Sequence, residues 1–191
     1  MLIPLGFLAS AGGGVETDYE LIETQILGSN QASITFTGLG TYSSTYKHLQ
    51  IRATMRSAST FGGGFADTVN VQLNGDGGTN YSSHYLWGTG SAVQSVGIAN
   101  LTYFFIPDPM PANGGAANNF GTFVIDILDA YSTTKNKTLR SLGGYSDPNG
   151  RSVSLSSGGW RNTASITSVL LKSQSANTVA GSRFSIYGIK G

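Results

Sequence analysis

A metal site in this chain would have to begin with its two histidines, His48 and His84. Zinc sites are built from His, Cys and carboxylate side chains that converge at characteristic spacings, and the sequence contains no cysteine. No such spacing links His48 to His84 or to a group of carboxylates. We therefore interpret both as independent hydrogen-bonding side chains, and we expect neither a metal nor another cofactor.

Paired carboxylates would be a second route to chemistry. A glycosidase places two of them on either side of one bond, and Asp126 and Asp129 are the candidates. Residues three apart on a strand point to opposite faces of a sheet, so these two cannot flank one substrate. The sequence also has no nucleophile elbow and no phosphate-binding loop. We expect a protein that is not an enzyme.

The segment from Asn74 to Asn80 has a partial likeness to a calcium-binding loop. Such loops hold the ion with several carboxylates and end in a bidentate glutamate, whereas this segment carries Asp76 alone. Its Asn-Gly and Gly-Gly steps are typical of tight turns between strands. The sequence therefore predicts a hairpin turn at this position.

Three aromatic residues, Tyr85, Trp87 and Trp160, lie close in sequence to glycines and serines. Aromatic faces in such surroundings can stack on sugar rings, but they also build cores and subunit interfaces. We keep the three as a candidate glycan platform and leave the core and interface alternatives open.

These side chains must be positioned by β-strands, because apolar and polar residues alternate with period two through most of the chain. Val153 and Leu155, for example, alternate with serines. Clusters of Gly, Asn, Asp and Pro separate about ten such runs. The pattern predicts an all-β fold, either a sandwich or a barrel. Of the two we expect an antiparallel two-sheet sandwich, jelly-roll-like. Its interior is predicted to contain Leu49, Ile51, Met55, Val69, Val71, Leu73, Phe123, Ile125, Ile127, Phe184 and Ile186.

Three kinds of segment depart from simple alternation. Leu21–Leu27 is mixed and β-branched, which favours an edge strand. Leu101–Ile106 and Phe123–Leu128 are apolar at successive positions, as in strands that are covered on both faces. Pro107–Asn119 is rich in Pro, Gly, Ala and Asn, and it is predicted to be a surface loop.

Opposite charges suggest the register of one hairpin. We predict that Phe123–Asp129 pairs antiparallel with Lys137–Gly143 across the loop 130–136. A shift by one residue would break the charge pairs, because side chains alternate between faces, and each pair contributes roughly 0.2–1 kcal/mol. The predicted cross-strand pairs are Asp126 with Arg140, Asp129 with Lys137, and Ile127 with Leu139.

The chain of 191 residues has few charges, 11% of residues, and a formal net charge of +1. A typical domain has about 25% charged residues. Low charge predicts a surface of Ser, Thr, Asn, Gln and Gly, much of it covered by other subunits. The net charge provides no field that would attract nucleic acid or an anionic membrane, and no apolar stretch approaches the length of a membrane span.

The beginning of the chain is apolar, and Gly12-Gly13-Gly14 separate it from the rest. No Lys or Arg precedes the apolar residues, as a signal peptide would require. We predict an extended anchoring arm over residues 1–14, followed by one β-sandwich domain over residues 15–191. The arm is predicted to bind a partner chain through Met1, Leu2, Ile3, Leu5, Phe7 and Leu8.

A polar row on one predicted strand region contains two arginines in a chain where charge is scarce. The row consists of His48, Gln50, Arg52 and Arg56. Arginines pair well with acceptors on a neighbouring chain. The row is therefore a candidate subunit interface in a homo-oligomer, for which we expect a trimer.

Several segments resemble a group of small virion proteins of tailed phages, especially those that infect cyanobacteria and other aquatic bacteria. The similarity covers most of Tyr19–Gly191, and Met1–Gly6 is similar to the beginning of phage appendage proteins. The resemblance implies a β-sandwich that assembles on a virion as a trimer, and it transfers no catalytic residue. The segments that carry it are Tyr46–Arg52, Leu73–Asp76, Ser83–Tyr85, Ile125–Asp129, Gly159–Thr163 and Tyr187–Gly191.

Three functions are compatible with these features. The first is a capsid decoration, or cement, protein that is made in the host cytoplasm and held on the virion surface by its apolar arm. The second is a short tail fibre or tail-associated adhesin that binds a host surface glycan. The third and least favoured is a glycan depolymerase. The expected partners are copies of the chain and either the major capsid protein or tail proteins.

Overall fold

The computed structural model describes residues 17–60 and 66–191, so the arm 1–14 lies outside the described residues. Twelve strands and one short 3-10 helix, η1 (Leu39–Tyr42), form the described part. The strands are β1 (Tyr19–Ile26), β2 (Ile34–Phe36), β3 (His48–Met55), β4 (Ala66–Leu73), β5 (Tyr81–Gly88), β6 (Val93–Leu101), β7 (Phe104–Pro111), β8 (Gly121–Leu128), β9 (Lys137–Ser146), β10 (Arg151–Trp160), β11 (Val169–Ser173) and β12 (Arg183–Ile189).

Eight of these strands have the connectivity of a jelly roll. Strands β1-β12-β3-β8 are neighbours in one sheet and β2-β11-β4-β7 form the other. The first strand thus pairs with the last, and the second with the last but one, all antiparallel. This rolled-up arrangement is the double-sheet solution described for jelly rolls. The predicted all-β antiparallel sandwich is confirmed.

Two inserted hairpins enlarge one sheet. The hairpin β5–β6 follows β4, and the hairpin β9–β10 follows β8. Both add beyond β8, so that the larger sheet has eight strands in the order β1-β12-β3-β8-β9-β10-β5-β6. Strand β7 of the smaller sheet packs across β9 and β10. The larger sheet therefore extends well past the jelly-roll framework.

Small side chains on β9 and β10 allow β7 to pack closely. Gly158 faces the ring of Phe104 so tightly that a Cβ atom would lie 2.8 Å from ring carbon Cδ2. Several buried serine hydroxyls on this face have no hydrogen-bond partner among the described residues, so the serines act here through their small size. They are Ser141, Ser152, Ser154 and Ser156.

The predicted interior is confirmed at every position. All eleven predicted core side chains are at most 2% exposed. They lie on alternate positions of β3, β4, β8 and β12, facing between the two sheets. Burying each such side chain contributes about 1.5–3 kcal/mol relative to exposure. Leu21–Leu27 was predicted as an edge strand, and β1 does form one edge of the larger sheet.

The predicted surface loop at Pro107–Asn119 is wrong over its first five residues. Residues up to Pro111 belong to β7, and Pro107, Pro109 and Pro111 are all buried. Proline cannot donate to a ladder, but it is tolerated where a strand has a neighbour on one side only, and β7 is an edge strand. The composition that indicated a loop is thus compatible with this strand.

The two segments predicted as doubly covered strands also differ from expectation. Leu101–Ile106 contains the turn between β6 and β7 and is not one strand. Phe123–Leu128 lies within β8, but it is covered on one face, and Leu128 is 40% exposed on the other. Successive apolar residues arise here because the outer face of the larger sheet is itself partly apolar.

The predicted hairpin register is confirmed for β8 and β9. Asp126 lies opposite Arg140, and Ile127 lies opposite Leu139 on the other face. An Nη2 atom of Arg140 donates to Oδ2 of Asp126 at 2.7 Å. The charges and the apolar alternation therefore agree on the pairing.

The second predicted charge pair, Asp129 with Lys137, is wrong. The ladder ends before Asp129, which adopts a left-handed backbone with φ of 49°, and its carboxylate pairs with Lys135 at 2.8 Å. Lys137 turns inward to 1% exposure. Its ammonium donates to the carbonyl oxygens of Ser132, Lys135 and Thr163. The change of backbone conformation at the strand end separates the two charges.

Candidate interaction surface

The polar row predicted on β3 forms hydrogen bonds within its own chain. Gln50 donates to Asp126 at 2.7 Å and accepts from the hydroxyl of Tyr19 at 2.8 Å. The guanidinium of Arg52 lies 5.9 Å from the centre of the Tyr19 ring. These contacts link β1, β3 and β8 on the outer face of the larger sheet. His48, Gln50 and Arg52 therefore do lie in one row.

Arg56 does not belong to this row, which corrects the predicted interface. Its side chain is 8% exposed. The guanidinium donates to the carbonyl oxygens of Ala116 at 2.7 Å, Asn119 at 2.9 Å and Gly115 at 3.0 Å. Strand β3 ends at Met55, so the alternation that would have kept Arg56 outside no longer applies. Arg56 therefore holds the loop after β7 and is buried, so it is not available as part of an exposed interface row.

The two histidines remain apart, as the sequence indicates. His48 accepts a hydrogen bond from the backbone N–H of Asp129 at 2.9 Å through Nδ1. His84 is exposed on β5, with Ser95 at 3.4 Å. Within residues 17–60 and 66–191, no group of three or more His, Asp and Glu side chains could hold a metal ion.

The segment around Asp76 forms a turn, but not a hairpin. Asn74 and Gly75 both have positive φ, 53° and 66°, the conformation of a type I′ turn. The strands on either side, β4 and β5, lie in different sheets. The carboxylate of Asp76 accepts hydrogen bonds from Gly78, Asn80 and the indole of Trp160. Its oxygens therefore organise the turn.

Trp160 lies in the core, which corrects the predicted glycan platform. It is 1% exposed, stacks near Tyr81 with ring centres 6.3 Å apart, and donates to Asp76 at 2.6 Å. Tyr85 and Trp87 lie on β5 and are half-buried. The three aromatic residues do not form one surface, and Trp160 cannot stack on a sugar.

Replacing Asp76 by alanine should lower the free energy of unfolding at pH 7 by about 2 kcal/mol, because the buried indole N–H of Trp160 would lose its acceptor. Hydrogen bonds from Trp160, Asn80 and Gly78 hold the pKa of the Asp76 carboxyl below its ordinary value of 3.8. A carboxyl whose pKa is lowered by folding stabilises the fold above its unfolded pKa, and this contribution is lost as the pH falls through the folded pKa.

Denaturant unfolding at pH 7 and below pH 3 tests this prediction. The difference between the wild type and Asp76→Ala should shrink in acid. Asp18→Ala removes an exposed carboxylate and should change stability by less than about 0.5 kcal/mol. An Asp76→Ala difference that is the same at both pH values would contradict the role of the ionised carboxylate.

An apolar strip on the outer face of the larger sheet is the feature that sequence reasoning missed. Leu86, Leu155 and Leu142 lie opposite one another on β5, β10 and β9, and Val124 of β8 continues the row. Val153 lies two residues from Leu155 on the same face. We call these five residues the outer stripe. The three leucines and Val153 are 46% to 59% exposed.

The outer stripe exists because β10 is inverted relative to the usual pattern. Ser152, Ser154 and Ser156 face the interior, whereas Val153 and Leu155 face outward. Alternation was recognised in the sequence, but the small residues point inward because β7 packs closely there. The unusual pairing of buried serines with exposed aliphatic residues is the sequence signal that could have revealed the stripe.

A groove of about 760 Å³ overlaps the outer stripe and is lined in part by Val124, Leu142 and Val153. It runs over β12, β3, β8 and β9 on the same outer face. Its polar rim is formed by Arg52, Thr54, Thr122, Arg183 and Tyr187. The outer face of the larger sheet thus combines an apolar strip with a groove that has an apolar floor and a polar rim, and together they form the candidate interaction surface.

The described residues contain no helix that is long and apolar enough to cross a membrane. Comparison of the sequence with protein-family models and with curated proteins finds no match.

Proposed function

We propose that this protein is a non-enzymatic structural subunit on the surface of a tailed-phage virion, and within that class a capsid decoration protein. The observation that carries the structural role is the outer stripe, which leaves aliphatic side chains in solvent in a chain with only 11% charged residues. Contiguous exposed apolar surface of this kind marks interaction sites. The resemblance to small phage virion proteins is the reason for proposing that the structure it belongs to is a phage virion.

Decoration is favoured over a tail position by the layout of the chain. The 191 residues contain no fibre-like repeat, and they include an apolar segment that Gly12-Gly13-Gly14 separate from the rest. In this proposal residues 1–14 anchor the subunit to the major capsid protein, and the sandwich faces outward. The subunit is proposed to assemble as a homotrimer after synthesis in the host cytoplasm.

Removal of residues 1–14 tests the anchor. The truncated chain should retain the thermal unfolding transition of the sandwich but should no longer join particles that lack the protein. Bound copies are counted by quantitative mass spectrometry. Hundreds of full-length copies per particle would support decoration, and about a dozen would indicate the tail. Equal incorporation of both forms would contradict the arm's role, and no incorporation of the full-length chain would contradict the virion assignment.

A second candidate function, a tail-associated adhesin, is favoured by the groove that overlaps the outer stripe. Arg, Thr and Tyr side chains on its rim can hydrogen-bond the hydroxyl groups of a glycan. Half-buried Tyr85 and Trp87 are on the other face of the sheet from this groove and are not part of the proposed glycan site. Binding of the full-length protein to a glycan array would support this candidate, and the absence of binding at high protein concentration would remove it.

A further inference from the structure

The four outermost strands of the two sheets differ in how they resist pairing with another chain. Strand β1 carries Glu20 and Glu23 and a register shift between Leu21 and Glu23. Strand β2 has three residues only, and β7 contains three prolines and is largely buried. Charges, bulges, prolines and short length are the devices by which proteins protect sheet edges. Three of the four edge strands, β1, β2 and β7, therefore have at least one of these protective features.

Strand β6 has almost none of this protection. It has nine residues, Val93–Leu101, with no charged residue and no proline, and seven of the nine are exposed. Its one irregularity is confined to the end, where Asn100 has φ of 58° and the pairing with β5 shifts. In the described part of the chain β6 pairs with β5 alone, so regular backbone along 93–98 offers unpaired hydrogen-bonding groups.

We propose that β6 is an interface at which two copies of this chain join their larger sheets. The two β6 strands pair antiparallel about a twofold axis perpendicular to the sheets. Such an interface is isologous, since each copy presents the same strand to the other. The backbone groups of one edge then satisfy those of the other, as in β-strand addition.

A second copy fits this edge better than a partner of opposite charge. An uncharged strand gives no electrostatic repulsion when it meets itself, and like charges directly opposite would destabilise such a pair. An apolar side chain also lies on this edge: Val93, 81% exposed, is on the same face as Ser95, which pairs with Leu86 of the outer stripe. The twofold axis would therefore bring two outer stripes onto one continuous sheet.

Single cysteines can locate the axis, because the chain has none of its own. A residue at the twofold axis opposes its own copy, at a distance that suits a disulfide. In the full-length protein we introduce Gln94→Cys, Ser95→Cys, Val96→Cys and Gly97→Cys one at a time. Mild oxidation should link one variant efficiently into a covalent dimer, which identifies the register. Thr138→Cys, exposed on β9, is the matched control and should stay unlinked.

Opposite charges introduced at Ser95 distinguish a lost strand pairing from misfolding, because mixing two misfolded variants would not restore association. Ser95→Lys and Ser95→Glu should each raise the dissociation constant of the pair at least tenfold in sedimentation equilibrium, and an equimolar mixture should restore association. Thr138→Lys should have no effect. The wild-type mass should be an even multiple of the chain, a dimer, or a hexamer if the proposed trimer also forms.

Three results would overturn the inference. They are a wild-type monomer or trimer at high concentration, the absence of cross-linking at all four positions, and association that is insensitive to both charges at Ser95. A wild-type trimer would overturn this inference and agree with the proposed homotrimer, and none of the three results measures incorporation into virions. This inference and the proposed virion role can therefore fail separately.

Discussion

Replacing Gly158 by alanine should lower the free energy of unfolding by about 3 kcal/mol, and the melting temperature by roughly 6–12 °C for a chain of this size. The added methyl group would collide with the backbone carbonyl of Ser82 and with the ring of Phe104. Phe104 is fully buried on β7, and Ser82 lies on β5, which pairs with β10. Neither neighbour can move without disturbing the contact between the sheets or the β5–β10 ladder. Thermal and denaturant unfolding measure the loss.

The adjacent glycine is a matched control. At Gly159 the nearest atom to an added Cβ would be the carbonyl oxygen of Lys137 at 3.4 Å, an ordinary contact. Gly159→Ala should therefore leave stability within about 0.5 kcal/mol, or increase it slightly because alanine reduces the entropy of the unfolded chain. Equal losses at Gly158 and Gly159 would mean that close packing of β7 on β10 is not the cause.

Replacing Arg56 by methionine should also lower the free energy of unfolding by about 3 kcal/mol. Methionine keeps much of the aliphatic volume but leaves three carbonyl oxygens in the loop 115–119 without the charged donor that now binds them. Hydrogen bonds to charged groups contribute roughly 1.5–3 kcal/mol, and buried acceptors without partners add a further cost. Urea unfolding gives the free energy, and amide exchange should report faster opening of the loop.

Arg52→Met is the control for Arg56→Met, because it removes an exposed arginine in place of a buried one. Arg52 is exposed, and its guanidinium lies over the ring of Tyr19. A cation–π contact at an exposed site contributes about 0.5–1 kcal/mol. If Arg52→Met lowered the free energy of unfolding as much as Arg56→Met, this would contradict the conclusion that Arg56 stabilises the fold through its buried hydrogen bonds to the loop 115–119.

Alternation in the sequence was sufficient to predict the fold class, the core and one hairpin register. These predictions succeed because period two is a geometric property of strands, and because Asp126 and Arg140 agree with Ile127 and Leu139 on the same pairing. Position along the chain matters too: each of these residues lies inside a regular strand, where neither bulge nor turn changes the face.

The errors lie where local geometry or packing overrides alternation. Asp129 and Arg56 follow the last residue of a strand, where the backbone no longer fixes the side-chain direction. The orientation of β10 depends on the close approach of β7, which is distant in sequence. Alternation identifies two faces without saying which one is covered, so the outer stripe could not be predicted from β10 alone.

The pairing of the earliest strands with the latest ones has a consequence for synthesis. Strand β1 pairs with β12, and β2 pairs with β11. During synthesis β2 therefore has no partner until β11 has been made, and β1 has none until β12 has been made. Folds dominated by such distant pairings form slowly, and unpaired strands favour aggregation meanwhile. Hairpin β5–β6 can form early from local contacts, which would expose its uncharged edge on nascent chains. We expect the yield of soluble protein to rise when translation is slowed or the growth temperature is lowered.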